Sequence, residues 1–230
     1  MSTFNTVIEQ IKGKLSRYSM PSIYHNRHVL ILFVLTGSLP SCATKLIPSD
    51  SMASEKIWES RRASLQAIDV WELKGRVAIN DGSQGWHINV IWNQSESSYK
   101  IRLYGPLGQG SASIEGDTQG VTMRGPDGKV VREKDAAALL KEQLGWYVPV
   151  DALRYWIVGL PSLAKIESRQ LDVQGRLITL SQQEWHIQYK SYVLIEGMAL
   201  PKKLVLNNPP WQVRFVIDTW RLPGEFDGNL

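Results

Sequence analysis

From Trp71 onward the chain alternates. Trp71, Leu73, Val77 and Ile79 are apolar, and Glu72, Lys74 and Arg76 stand between them. A period of two is the geometry of a β-strand, whose side chains point to opposite faces in turn. Trp86, Ile88, Val90 and Trp92 repeat the pattern around His87 and Asn89, and Tyr99, Ile101 and Leu103 repeat it around Lys100 and Arg102. Each run has one oily and one wet face, as antiparallel strands do, so three antiparallel strands are expected here. Asp81-Gly82 supplies a hairpin signal between the first two. Shorter strands are expected at 111–115, 121–124 and 129–132, with Pro126-Asp127-Gly128 as a turn. Strand patterns resume at 177–181, 185–192, 203–206 and 212–220.

Helical signals are few. Ser54 can cap a helix over 54–67, in which Ile57, Trp58, Arg61, Leu65 and Ile68 form a broken apolar stripe. Asp135 can cap a helix over 136–144 that Gly145 ends, and a second short helix is expected over 150–158, closed by Gly159 and Pro161. The expected fold class is mainly β (α+β): one highly curved antiparallel sheet of about ten strands, curling into a barrel or half-barrel. The helices between strands must cover an open end or an edge.

The N-terminal segment reads differently. Residues 29–39, VLILFVLTGSL, are mostly apolar, and Arg27 stands just before them. Eleven residues are too few to span a bilayer, which takes about 20, but suit the apolar region of a signal peptide. Leu39-Pro40-Ser41-Cys42 follows. It resembles a bacterial lipobox, although a small residue is usual where Pro40 stands. The resemblance implies diacylglyceryl transfer to the Cys42 sulfur, cleavage before Cys42 and N-acylation of the new terminus. Ala43 follows the cysteine where lipoproteins kept in the inner membrane commonly carry aspartate, which implies sorting to the outer membrane. The stretch before the apolar run is long for a leader. A start at Met20 would give a leader of 22 residues, so Met20 is the expected start and residues 1–19 an over-extended reading frame. The expected organisation is a signal peptide over 1–41, an acylated N-terminus and tether over 42–53, the folded domain over 54–222 and a disordered tail over 223–230.

Charge and composition exclude several functions. The net charge of +4 comes largely from the leader, where Lys12, Lys14, Arg17 and Arg27 face one acid, Glu9; without it, 22 basic residues meet 21 acidic ones. No electrostatic case for nucleic acid remains. The single cysteine excludes a disulfide framework and a Cys₄ or Cys₂His₂ zinc site. Motifs for a serine nucleophile, a zinc protease, a P-loop or a dinucleotide site are absent. His87 and His186, the two histidines after the leader, fall on the polar phase of strands and are expected to face solvent. No enzyme activity, cofactor or metal is expected. All nine tryptophans follow Cys42, six of them in or beside strands. The inside of a curled sheet is filled either by side chains or by a ligand. Trp71, Ile79, Trp86, Ile88 and Trp92 share the apolar phase and are the candidate cavity residues, with plain core packing as the alternative for each.

Arg154-Tyr155-Trp156-Ile157-Val158-Gly159-Leu160-Pro161 resembles the R-x-W-I-x-G-L-P stretch of the LolB family of outer-membrane lipoprotein receptors. Gly75-Arg76, Trp92, Pro106-Leu107-Gly108, Trp185-x-Ile187-x-Tyr189 and Trp220 match in order. The resemblance runs from Cys42 to about Leu222. It implies an unclosed β-barrel with a short helical lid over a hydrophobic cavity. It also implies that lipoproteins arrive from a LolA-like periplasmic carrier and are placed, without nucleotide, in the inner leaflet of the outer membrane. By the same resemblance Leu107, the one large apolar residue of a turn-rich loop, aids insertion into the membrane. The residues by themselves leave two other readings open: a lipid-anchored carrier of fatty acid or glycolipid, and a structural envelope lipoprotein with a filled core.

Overall fold

The computed structural model describes residues 48–49, 52–105 and 110–223. The leader, Cys42, Leu107 and the tail from 224 lie outside the described residues. Among the described residues twelve strands form one sheet: β1 (Pro48–Ser49), β2 (Val70–Asn80), β3 (Gly85–Ser95), β4 (Ser98–Tyr104), β5 (Ser111–Gly116), β6 (Val121–Arg124), β7 (Val130–Glu133), β8 (Ser168–Asp172), β9 (Leu177–Gln182), β10 (Trp185–Ile195), β11 (Met198–Asn208) and β12 (Trp211–Arg221). Three helices of the described residues interrupt them: α1 (Met52–Gln66), α2 (Ala136–Leu144) and α3 (Val150–Trp156). The spatial order is β1-β8-β9-β10-β11-β12-β2-β3-β4-β5-β6-β7, every neighbouring pair antiparallel. The sheet has two ends, β1 and β7, and does not close.

The five central strands, β10, β11, β12, β2 and β3, have eleven residues each. At about 3.3 Å per residue each spans roughly 36 Å, long enough for strand twist to curl the sheet around its own apolar face. The last strand, β12, lies beside the first long one, β2, from Gln212 opposite Asn80 to Arg221 opposite Glu72. One register shift falls at Asp218. There Gly75 explains itself: a methyl group on it would run into the Val216 carbonyl oxygen. The missing Cβ lets the bulged strand close in. The neighbouring Arg76 reaches across to Asp218 at 2.9 Å. Thus Gly75-Arg76 marks a bend in the sheet.

The caps of α2 are those read from the sequence. The Asp135 carboxylate accepts from the Ala138 N–H at 2.7 Å, and Gly145, at φ +71°, donates its N–H back to the helix end. Three expectations need correction. Ser54 does not cap α1, which starts at Met52; Ser54 is a buried residue of the first turn. Ile57 is 44% exposed, because α1 buries only Ser54, Trp58 and Leu65. His186 does not stand free in solvent: it is half-buried, with Nδ1 3.1 Å from the Ser181 hydroxyl on β9. His87 is exposed. β1 and β8 were not expected, since Ser168-Arg169-Gln170-Leu171-Asp172 carries no alternation.

Candidate functional site

The apolar phase of β2 to β5 and β12 faces α2, α3 and the loop between them. An apolar cleft of about 520 Å³, measured to its open mouth, lies at that junction. The sheet contributes Val77, Ile79, Ile88, Val90, Trp92, Ile101, Leu103, Ile114, Val213 and Phe215. The cover contributes Leu140 from α2, Trp146 and Val148 from the loop, and Val150 and Leu153 from α3. Among the described residues no lining residue is charged, and none can titrate in the ordinary range.

The five candidate residues separate. Ile79, Ile88 and Trp92 stand in the lining. Trp86 lies on the same face of β3 but packs on Trp146, ring centres 6.1 Å apart. Trp71 joins Trp92 and Trp220 in an aromatic cluster, at 5.4 and 5.5 Å. It also borders a separate, partly polar cleft with Leu65, Gln94, Arg154 and Tyr155.

Sequence reasoning passed over Trp146, whose neighbours Gly145 and Pro149 read as turn residues. It is 6% exposed and sits over the cleft. Its indole N–H is buried and has no acceptor. Trp92, the other lining tryptophan, donates its N–H to the Gln94 side chain at 3.2 Å.

The cover is attached unevenly. Among the described residues, no hydrogen bond or ion pair joins 136–153 to strands β2 to β6. The end of α3 is tied firmly to the other side. Tyr189 donates its hydroxyl to the Trp156 carbonyl at 3.0 Å, and Trp156 donates its indole N–H to Gln182 Oε1 at 3.0 Å. Gln182, fully buried, also accepts from Ser162 N–H and donates to the Ser162 and Ala164 carbonyls. The matched stretch 154–161 is therefore a structural joint: Trp156 and Ile157 fill the core, and Gly159, at φ +88°, turns the chain back under Arg61 and Pro201.

Comparison with known proteins fits this geometry. The family model described as outer membrane lipoprotein LolB matches residues 69–220. An outer-membrane lipoprotein LolB of Nitrosococcus oceani is 40% identical over 196 residues, 84% of this chain and 95% of its own length. One from Francisella tularensis subsp. novicida is 34% identical over 199 residues, 84% of this chain and 94% of its own. A solved LolA superfamily protein from Nitrosomonas europaea aligns at a TM-score of 0.48 and 9% identity, over 75% of this chain and 94% of its own, too slight a likeness to add weight. On the family match and the two relatives, the chain belongs to the LolB family of outer-membrane lipoproteins.

Proposed function

We propose that the protein receives lipoproteins from a LolA-like periplasmic carrier and inserts them into the inner leaflet of the outer membrane. The observation that carries this reading is the all-apolar cleft beneath a cover that, among the described residues, no hydrogen bond fastens to strands β2 to β6, in a chain of the LolB family. Each acyl chain exposed to water costs roughly 0.8 kcal/mol per CH₂, about 12 kcal/mol for about 15 methylenes. Three chains approach roughly 36 kcal/mol, so cargo must pass from cavity to cavity without wetting its lipids. The 520 Å³ includes the open mouth, so the enclosed room is much smaller. Three acyl chains exceed that, so loading displaces α2 and the start of α3. Opening breaks apolar contacts only, and therefore strands few polar groups. With no nucleotide consumed, direction comes from free-energy differences between cavities, where about 1.4 kcal/mol biases a step tenfold, and the bilayer is the final sink.

Two residues outside the described part complete the reading. Cys42 carries the lipid anchor, and mass spectrometry of the mature N-terminus should find it acylated. Leu107 stands in the sequence between β4 and β5, and its entry into the bilayer would gain about 1.5–3 kcal/mol, enough for reversible contact. Leu107→Glu should accept lipoprotein from the carrier and fail to release it into liposomes; normal release would remove the wedge role. Depletion of the protein should make lipoproteins accumulate on the carrier. Normal lipoprotein localisation after depletion would overturn the whole proposal.

A further inference from the structure

Arg154 on α3 is a half-buried cation without a counter-ion. Its guanidinium lies over the Tyr155 ring, 4.8 Å from the centre, and donates from Nη2 to the Tyr155 hydroxyl at 3.1 Å. Among the described residues no carboxylate pairs with it. Nε is buried without an acceptor, whereas Nη1, which also bonds to nothing there, is not enclosed and can be reached from outside. A guanidinium carries five donors in a rigid fork that matches phosphate or carboxylate, so most of this one's capacity is unspent. Two clefts meet at this side chain: Arg154 and Ser97 line both of them, and neither cleft shares a lining residue with the apolar one. The first, about 790 Å³ including its open mouth, takes its apolar part from Leu65, Ile68, Trp71, Val158 and Leu160. The second, about 500 Å³ measured the same way, carries Asp117, Asp151 and Lys134.

We infer that this seam binds a zwitterionic phospholipid by its headgroup, with the phosphate on Arg154, the ammonium among the neighbouring carboxylates and an acyl chain over Leu65 and Trp71. Hydrocarbon, a free guanidinium and a carboxylate-bearing cleft follow one another along the groove, which is the order of chain, phosphate and ammonium in such a lipid. The charge balance selects the zwitterion over a plain anion. Across the two clefts Asp69, Glu96, Asp117 and Asp151 face only Arg154 and Lys134 as cations, so a ligand with negative charge alone meets an excess of its own sign. Gln94 takes no part, since its side-chain oxygen accepts from Trp92 and its nitrogen donates to the Glu96 and Ser98 carbonyls. The site lies beside the cleft assigned to cargo, and the inference does not rest on the lipoprotein reading.

The test titrates four ligands into the purified protein by calorimetry, each below its micelle concentration: 1-decanoyl-lysophosphatidylethanolamine, decyl phosphate, 1-decanoylglycerol and phosphoethanolamine. The lysophospholipid should bind most tightly and should lose about tenfold or more in Arg154→Met, while decanoylglycerol binds both proteins alike. Decanoylglycerol matching the lysophospholipid would show that hydrocarbon alone is read, and would overturn the inference. Phosphoethanolamine binding as tightly as the lysophospholipid would make the seam a site for a free phosphate ester, and decyl phosphate binding more tightly would make it a simple anion site; either result overturns the lipid assignment. Unchanged lysophospholipid affinity in Arg154→Met removes the role of the guanidinium. Ser97→Trp keeps the test open if Arg154→Met fails to fold, because Ser97 is exposed, lies in the turn between β3 and β4 and touches both clefts. A tryptophan there should block the groove from its surface side and abolish the preference for the lysophospholipid over decanoylglycerol, and a preference that persists in Ser97→Trp overturns the placement at the seam.

Discussion

The interior of the curve is closed in two ways. On the β8 to β11 side, polar groups bridge one element to the next. Asp172 holds Arg176 at 2.6 Å within the β8–β9 hairpin, and both Arg176 and Arg61 of α1 stack over Tyr192, at 5.2 and 5.6 Å. Arg61 donates to the Ala199 carbonyl of β11, Tyr192 donates to the Leu177 carbonyl at 2.8 Å, and Gln182 and Tyr189 fasten Trp156. On the β12 to β5 side the cover meets the strands through hydrocarbon and rings, with no such bridge among the described residues. Directional bonds fix one arrangement, because moving either partner leaves a buried group unpaired. Apolar contact is non-directional and can be exchanged for an acyl chain at little net change. One side is thus a wall, and the other a cover that cargo can replace.

The largest effect expected is on the wall. Arg176→Met leaves the Asp172 carboxylate, 1% exposed, without its cation, held only by the backbone N–H groups of residues 174 and 176. Such a buried charge costs about 3–5 kcal/mol, and at about 2–4 °C per kcal/mol for a chain of this size the melting temperature should fall by roughly 10 °C. Acyl-probe affinity, measured well below the transition, should be unchanged. Equal loss of affinity would mean that wall and cover are one unit.

Ile88→Asp should do the reverse. Ile88 lines the cleft, so a carboxylate there meets the acyl chain directly. Affinity should fall at least about tenfold. The cleft opens to solvent at its mouth, so water can reach the new group and the stability cost should stay near about 1–3 kcal/mol. Calorimetry beside probe binding gives both numbers, and a larger melting shift than in Arg176→Met would assign Ile88 to core packing instead.

What could be read from the sequence follows the same division. The β12 to β5 side was legible because one face of each strand is buried and the other wet, which prints as alternation in Trp71–Ile79 and Trp86–Trp92. The α2 caps were legible because Asp135 and Gly145 act within a few residues of themselves. The wall was not. β8 pairs with β1 and β9 through a hairpin whose interior holds a charged pair, and a buried Asp172 looks like a surface residue until Arg176 is seen against it. The bulge at Asp218 depends on β2, a partner strand distant in sequence. The unpaired N–H of Trp146 is legible only once every neighbour is known.

A smaller effect is expected at the joint between the two sides. Tyr189→Phe removes the hydroxyl that holds the Trp156 carbonyl at the end of α3. The loss should be about 1 kcal/mol of stability, the usual net worth of one hydrogen bond. Because Trp156 ends the cover's last helix, the cover should also open more often. Stopped-flow mixing with an acyl probe should show faster association with little change in equilibrium affinity. Unchanged association would place the moving boundary before α3 rather than at Trp156.

The smallest effect expected is none at all. Among the described residues none that lines the cleft titrates between pH 5 and 9, so acyl affinity should be flat across that range. The wall should respond to strong alkali. Burial pushes the Tyr189 phenol well above its ordinary value, and nearby Tyr192 adds to it; burial likewise raises Tyr192. A phenol raised in the folded state contributes stability that is complete below its unfolded value of about 10 and is lost as pH climbs toward the folded one. Melting temperature should therefore hold to about pH 10 and fall above it, with the drop reduced in Tyr189→Phe. Probe affinity that changed between pH 5 and 9 would require a titrating group at the cleft, and would break the distinction between a polar wall and an apolar cover.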